Sequence, residues 1–111
     1  MILQHIVKIE KNENGQATFA EDSDGRWTRY EYNEQGLETY REHSDGEWTR
    51  WEYNGRGDIT RCENSKGEWF NSKYDDVGNL IEINRNDGYW ERYEYNEEGK
   101  IVSKTSHEVY K

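Results

Sequence analysis

The sequence has 111 residues, which is enough for one domain at most. Acidic residues outnumber Lys and Arg by 24 to 15, so the net charge is -9, and only 31% of the residues are hydrophobic. This charge disfavours binding to nucleic acid or to an anionic membrane, because both are negative. Aromatic residues nevertheless make up 14% of the chain, and each ring can bury a large area. We therefore expect a folded chain with a thin or one-sided core.

Features that bear on location point to a soluble protein in a reducing compartment. No apolar run reaches the length of a membrane span, and the first residues lack the basic and apolar parts of a signal peptide. The single cysteine, Cys62, excludes an internal disulfide. We expect a cytoplasmic protein with no membrane partner.

The chain repeats with a period of 21 residues. Four series share this period, two of glycine, one of Trp and one of Tyr. They comprise Gly25, Gly46, Gly67 and Gly88; Gly15, Gly36, Gly57, Gly78 and Gly99; Trp27, Trp48, Trp69 and Trp90; and Tyr32, Tyr53, Tyr74 and Tyr95. One period in four independent series indicates tandem copies of one structural unit.

The copies divide the chain into a cap and four full units. Residues 1–24 form a degenerate copy, in which Ile6 stands where the next copy has Trp27. We interpret it as a capping unit, since the terminal units of repeat arrays are often atypical. The predicted full units are 25–45, 46–66, 67–87 and 88–108, followed by a tail at 109–111.

Each unit contains two turns of the same chemistry. One kind begins with Asn or Asp and ends with Gly three residues later, as in Asn33–Gly36. The other kind includes Asp22–Gly25 and His43–Gly46. An Asx side chain caps a type I turn, and the fourth-position glycine accepts the left-handed conformation. The turns leave strands of about six or seven residues.

The sequence therefore predicts an all-β fold: tandem β-hairpin repeats that form a twisted antiparallel meander sheet of about ten strands. Such a sheet has exposed edges and a poorly covered face. It would have to roll up, form a homodimer or dock on a partner.

Alternation along the first strand of each unit separates two faces. Thr28, Tyr30 and Tyr32 share one face, which we expect to be the packed side. Trp27, Arg29 and Glu31 share the other, where we expect Arg to cover Trp and to pair with Glu. The aliphatic residues of the second strands increase toward the C-terminus and predict a stronger core there.

Candidate catalytic or metal-binding groups have simpler structural explanations. His5, His43 and His107 have no ligand spacing and are expected to be exposed turn or terminal residues. Cys62 occupies a position held by Ile83 one unit later, which predicts a small buried hydrophobe.

Two acidic motifs are explained in the same way. Asp22–Gly25 lacks the ligand series of a calcium loop and is expected to be a turn. Glu31 and Glu52 could in principle form a glycosidase pair, but a recurring surface ladder explains them and no cleft is predicted. We expect a non-enzymatic protein with no catalytic residue, no metal and no cofactor.

Two segments, Arg29–Leu37 and Arg92–Lys100, resemble the YD (RHS) repeat, whose core is Tyr-x-Tyr-Asp/Asn-x-x-Gly. A similar cadence occurs in MORN-like repeats of the YwqK antitoxin type. The resemblance implies a hairpin array and a bacterial or phage origin, and hence the cytoplasm of a bacterial host. In large RHS proteins the repeats form a shell around a toxin, and this chain is too short to enclose one. The repeat carries over no catalytic residue.

We expect a protein-binding module that blocks a partner with a basic surface and makes no direct contact with nucleic acid. In the implied setting it would be an anti-defence inhibitor, such as an anti-CRISPR, or an immunity or antitoxin protein. Trp, Tyr and Arg dominate binding hot spots. The predicted contact residues are Trp27, Arg29, Tyr30, Glu31, Trp48, Arg50, Trp51 and Glu52. Two alternatives stay open: a DNA mimic that occupies the nucleic-acid site of a nuclease, and a carbohydrate-binding repeat.

Overall fold

The computed structural model describes residues 5–107, which form only strands and turns. Ten antiparallel strands follow one another in one open sheet in chain order, as the repeat predicts. They are β1 (Ile6–Lys11), β2 (Ala17–Asp22), β3 (Trp27–Tyr32), β4 (Glu38–His43), β5 (Trp48–Tyr53), β6 (Ile59–Asn64), β7 (Trp69–Tyr74), β8 (Leu80–Arg85), β9 (Trp90–Tyr95) and β10 (Ile101–His107). The start of the predicted cap, the last residue of the fourth full unit and the tail 109–111 lie outside the described residues.

No helix in the described range is long and apolar enough to cross a membrane.

All nine connections between the described strands use one turn geometry. The amide of the fourth residue donates to the carbonyl of the first, as Gly36 does to Asn33 at 3.0 Å. The fourth residue is always a glycine with φ between 81° and 96°, where a Cβ atom would clash with the backbone. The side chain of Asn33 accepts two further amide hydrogens, from Gln35 and Leu37. The predicted turn chemistry is confirmed.

Two turns lack an Asx residue at the first position and place the cap elsewhere. They begin with His43 and Arg85. In these turns the third residue, Asp45 or Asp87, accepts the amide hydrogen two residues later. A carboxylate inside the turn therefore substitutes for the missing cap.

The chain divides into two compact units between Arg50 and Trp51. In the first unit Phe19 lies opposite Arg29, and Glu42 lies opposite Trp48. In the second unit Ser72 lies opposite Ile83. Since residues directly opposite each other point to the same side of a sheet, these pairs show which side chains share a face.

Neither unit contains a buried hydrophobic residue among those described. Ser72 is the one buried polar residue, at 7% exposure, whereas Ile101 and Val102 are 56% and 60% exposed. The expected enrichment of the core toward the C-terminus is therefore wrong. A single layer covers each side chain only from its neighbours in the same sheet, so aliphatic residues at the edge strand stay exposed.

The periodic tyrosines have a bonding role that recurs along the chain. The hydroxyl of Tyr32 donates to the carbonyl oxygen of Ala17 at 2.6 Å. Tyr74 makes the same bond to Ile59 at 2.7 Å, and Tyr95 to Leu80 at 2.6 Å. Each tyrosine hydroxyl therefore links the last residue of the first strand of a hairpin to the first residue of the strand that precedes it.

We predict that Tyr32→Phe lowers the free energy of unfolding by about 1 kcal/mol, because it removes this bond. Tyr30→Phe is the matched control, since Tyr30 lies on the same face and its hydroxyl makes no hydrogen bond within the described residues. Urea unfolding of both variants checks the prediction. Equal losses would show that the hydroxyl bond does not stabilise the sheet.

Candidate binding face

One face of the first unit carries a ladder of aromatic rings and cations. Phe19 and Trp27 stack with ring centroids 6.0 Å apart and planes at 25°. The guanidinium of Arg29 lies 5.2 Å from the centre of the Trp27 ring. The Nζ atom of Lys8 lies 5.5 Å from the Phe19 ring. We call this side of the first unit the ladder face.

The ladder continues at the next pair of strands. Tyr40 and Trp48 stack with centroids 6.2 Å apart. The guanidinium of Arg50 lies 5.5 Å from the Tyr40 ring and 5.1 Å from the Trp48 ring. The expectation that Arg covers Trp is confirmed. In addition, Phe19 and Tyr40, which lie on the adjacent second strands, stack on Trp27 and Trp48.

The acid that pairs with Arg on this face differs from the expected one. Arg29 Nη1 lies 3.9 Å from Glu42 Oε1, on the adjacent second strand. The same oxygen accepts the hydroxyl hydrogen of Tyr40 at 3.3 Å. The expected pairing of Arg29 with Glu31 is wrong, because Arg29 lies directly opposite Glu42 across the β3–β4 pair.

Glu31 is consequently an exposed carboxylate on the ladder face. It lies opposite Tyr40, and within the described residues it makes no hydrogen bond or ion pair. Glu42 forms the ion pair with Arg29, and Glu31 is left without an ion pair in the described part of the chain. Such a carboxylate can accept a basic group from outside.

The second unit has a face of the same kind. Arg61 lies 4.9 Å from the centre of the Trp69 ring. Arg92 lies 4.5 Å from the Trp90 ring, and the His107 imidazole stacks on that ring at 6.0 Å. The indole rings of Trp69 and Trp90 are half-buried, and each lies under a cation, as Trp27 and Trp48 do in the first unit.

Glu82 holds a network of donors beside this stack. Its oxygens lie 2.7 Å from the Asn84 amide nitrogen, 3.1 Å from Arg92 Nε and 3.3 Å from Lys73 Nζ. The hydrogen bond from Asn84, followed by those from Arg92 and Lys73, lowers the pKa of Glu82. The carboxylate is thus held in its charged form.

The opposite face of the first unit combines an aromatic ring with an ion pair. Arg41 lies 5.5 Å from the Tyr30 ring. Its Nε and Nη2 atoms each donate to Glu38 at 2.7 Å. This bidentate pair raises the pKa of Arg41. The predicted contact residue Tyr30 therefore lies on the face opposite the ladder face, where Arg41 of the adjacent strand β4 covers part of its ring.

The opposite face of the second unit centres on Glu91. It accepts hydroxyl hydrogens from Tyr89, at 2.6 Å, and from Tyr93, and it lies 3.5 Å from Lys104. The bonds from Tyr89 and Tyr93 lower the pKa of Glu91. The bond to Glu91 raises the pKa of Tyr93 to about 12.

The remaining predicted contact residues lie in the second unit. Trp51 is half-buried, and Glu52 is exposed and unpaired within the described residues. Trp27, Arg29, Tyr30, Glu31, Trp48 and Arg50 belong to the first unit, where the ladder joins all except Tyr30 to one face.

The groups considered for chemistry occupy surface positions. His5, His43 and His107 are exposed, as expected. No group of three His, Cys, Asp or Glu residues between positions 5 and 107 could hold a metal ion. Cys62 is half-buried rather than buried, since one layer cannot enclose it, and partial burial raises the pKa of its thiol.

Glu42, Glu82 and Glu91 are important residues that the repeat did not reveal. Glu82 occupies the position held by Phe19, Tyr40 and Arg61 in the preceding copies, and all four residues contact the next Trp or its Arg. This series of positions could have been found by comparing, in the predicted strand register, each periodic Trp with the residue that lies diagonally across from it on the preceding strand. Glu91 stands where the earlier copies have Val, Thr or Phe, so the periodicity gave no signal for it.

Solved structures share the fold, among them three structures of toxin complexes. A Photorhabdus luminescens Tc holotoxin pore matches with a TM-score of 0.71 and 17% identity over 91% of this chain. Chains in crystal structures of TcdB2-TccC3-Cdc42 and TcdB2-TccC3-TEV match with TM-scores of 0.59 and 0.58, each at 15% identity over 86% of this chain. This chain spans only 7% of the length of each of them.

These toxin-complex chains contain β-sheet structure of the YD (RHS) repeat kind, which agrees with the resemblance in the sequence. The low identity limits the likeness to the fold. No model of a protein family matches the chain, and no curated protein does.

We predict that the free energy of unfolding falls as the pH drops below about 4.5, because Glu82 and Glu91 have lowered pKa values in the folded state. A carboxyl with a lowered pKa contributes stability above its unfolded pKa and loses it as the folded group becomes protonated. Urea unfolding between pH 7 and pH 3 measures the loss.

Glu82→Gln and Glu91→Gln should each flatten this dependence. Glu94→Gln is the charge-matched control, since Glu94 is exposed and unpaired in the described range. If all three variants retain the slope of the parent chain, the two networks do not contribute the acid-sensitive stability.

Proposed function

We propose that this chain is a non-catalytic protein-binding module, which holds a partner with a basic surface on its ladder face and thereby inhibits it. The finer assignment, a YD (RHS)-type module of bacterial or phage origin acting in anti-defence or immunity, is part of this proposal. It rests on the repeat motif and on the composition.

The observation that carries the proposal is the charge left over on the ladder face. Arg29 is offset by Glu42, whereas Glu31 is exposed and has no pair in the described structure. The chain as a whole has a net charge of -9. A basic partner would be attracted from a distance by the net charge and held at contact by the free carboxylate.

The aromatic rings support the same proposal. Trp27 and Trp48 are half-buried, and each is held by a stacked ring and a guanidinium. A ring held in one orientation loses little conformational freedom when a partner packs against it, which favours binding. Half-exposed Trp and Arg side chains are also typical of binding hot spots.

The ladder geometry favours a protein partner over the two alternatives. Lys8, Arg29 and Arg50 lie among the acids of this face, whereas a DNA mimic needs a surface of one sign. A carbohydrate ligand would stack on bare rings, but Trp27 and Trp48 each carry a guanidinium.

We predict that the full chain, used as bait in bacterial lysate, captures a basic protein and that Glu31→Lys abolishes the capture. The substitution replaces the free carboxylate with a repelling charge. Salt in the range of about 0.5 M should release the captured protein, because it screens exposed charges. Quantitative mass spectrometry of the eluates measures the difference.

Glu34→Lys provides the matched control, since it makes the same charge change at an exposed turn position. The ladder face is refuted as the contact surface if Glu31→Lys captures the same protein at the same level. Release of the protein by duplex DNA at constant ionic strength would instead favour the DNA mimic.

A further inference from the structure

A groove of equivalent construction lies in each unit, at the strand ends that the second kind of turn connects. In the first unit a groove of about 600 Å³ lies between the turns Asp22–Gly25 and His43–Gly46. In the second unit a groove of about 530 Å³ lies between the turns Asn64–Gly67 and Arg85–Gly88. Every lining position of the second groove is 42 residues, or two repeats, after a lining position of the first. The repeat itself therefore generates the groove.

A small residue lines each groove at the same position. Ala20 lines the first groove and Cys62 lines the second. The same position holds Arg41, Ile83 and Lys104 in the other three copies. Since the repeat accommodates Ile at this position, a larger side chain can be introduced there to fill the groove without a change of fold.

The second groove already contains a guanidinium. Arg85 forms an ion pair with Asp87, and its guanidinium lies 4.5 Å from the centre of the Tyr89 ring. The hydrogen bonds from Arg85 lower the pKa of Asp87 to about 2. In the second groove, therefore, the carboxylate of the turn residue Asp87 forms an ion pair with an arginine, Arg85.

The first groove has the carboxylate but lacks this arginine. His43 occupies the position of Arg85, and its Nδ1 atom lies 3.0 Å from the Thr28 hydroxyl. Asp45, the counterpart of Asp87, is exposed and makes no ion pair within the described residues. Asp22 and Arg26 also line this groove, so its formal charge is one negative unit when His43 is neutral.

We propose that the first groove receives an arginine side chain of the basic partner, and that Asp45 pairs with its guanidinium as Asp87 pairs with Arg85. The methylene groups of that arginine would lie against Ala20 and Tyr30, which line the same groove. The first groove is lined by Thr28 and Tyr30 of the opposite face and also by Trp27 of the ladder face, so a partner on the ladder face would reach it around the strand ends. This inference rests on the proposed function, because it assigns one contact of the same basic partner.

The test is an NMR titration of the full chain with an oligoarginine peptide, and with an oligocitrulline peptide of the same length as the uncharged control. Oligoarginine should shift the backbone amides of Thr28 and of the turn 43–46, and oligocitrulline should not. Asp45→Asn keeps the turn acceptor and should weaken binding about threefold, as expected for an exposed ion pair.

Two variants close the groove in different ways. Ala20→Ile fills it with the side chain found at position 83, and His43→Arg supplies a cation that can pair with Asp45 within the chain. Both should remove the amide shifts of the turn 43–46. If Ala20→Ile fails to fold, as judged by its remaining amide spectrum, His43→Arg and Asp45→Asn decide the question.

The outcomes separate this inference from the proposed function. Oligoarginine binding that is unchanged by His43→Arg and Asp45→Asn but lost in Glu31→Lys overturns the groove site and supports the ladder face. Binding that is lost in the groove variants and kept in Glu31→Lys supports the groove, and the capture experiment with Glu31→Lys then decides whether the partner also contacts the ladder face. If oligoarginine causes no shift at low salt, the groove proposal is wrong, and lysate capture still tests the proposed function separately.

Discussion

The contact between a guanidinium and an indole ring is the interaction on which both units depend. No hydrophobic residue between positions 5 and 107 is buried, so the sheet cannot rely on an enclosed core. Arg29 lies over Trp27 and Arg92 over Trp90, and each Arg also meets an acid of the adjacent second strand. Stability is therefore distributed over many cross-strand contacts, each of which contributes about 1 kcal/mol or less.

The same contacts organise the surface that we propose for binding. Arg29, which lies over Trp27, pairs with Glu42, and Arg92, which lies over Trp90, pairs with Glu82, so each of these two cations occupies an acid of the neighbouring strand. The acids outside this arrangement, of which Glu31 is the example in the first unit, keep their charge for a partner. Position 43 gives the converse case: a histidine there leaves Asp45 unpaired within the described residues, whereas Arg85 neutralises Asp87.

The repeat predicted the strands and turns because both depend on residues that recur in register. Asn33 and Gly36 define a turn by local backbone chemistry alone. The predicted contact residues on β3 were also assigned to the correct faces by strand alternation. The pairing of Arg29 with Glu42 was missed because it follows from the registry between strands, which the spacing of one strand does not determine. Cys62 was expected to be buried because the next unit has Ile83 at its position, but burial requires a second layer, and a periodicity does not specify one.

The heat-capacity change of unfolding tests the central claim, that ladders rather than a buried core stabilise this sheet. An ordinary globular protein of 111 residues would give about 1.5 kcal/mol/K, because this quantity follows the apolar area exposed on unfolding. Differential scanning calorimetry over a series of pH values and protein concentrations measures it directly. We expect a value clearly below that figure and independent of concentration. A value at or above it would show that the folded protein encloses a substantial apolar core, which would contradict stabilisation by the ladders.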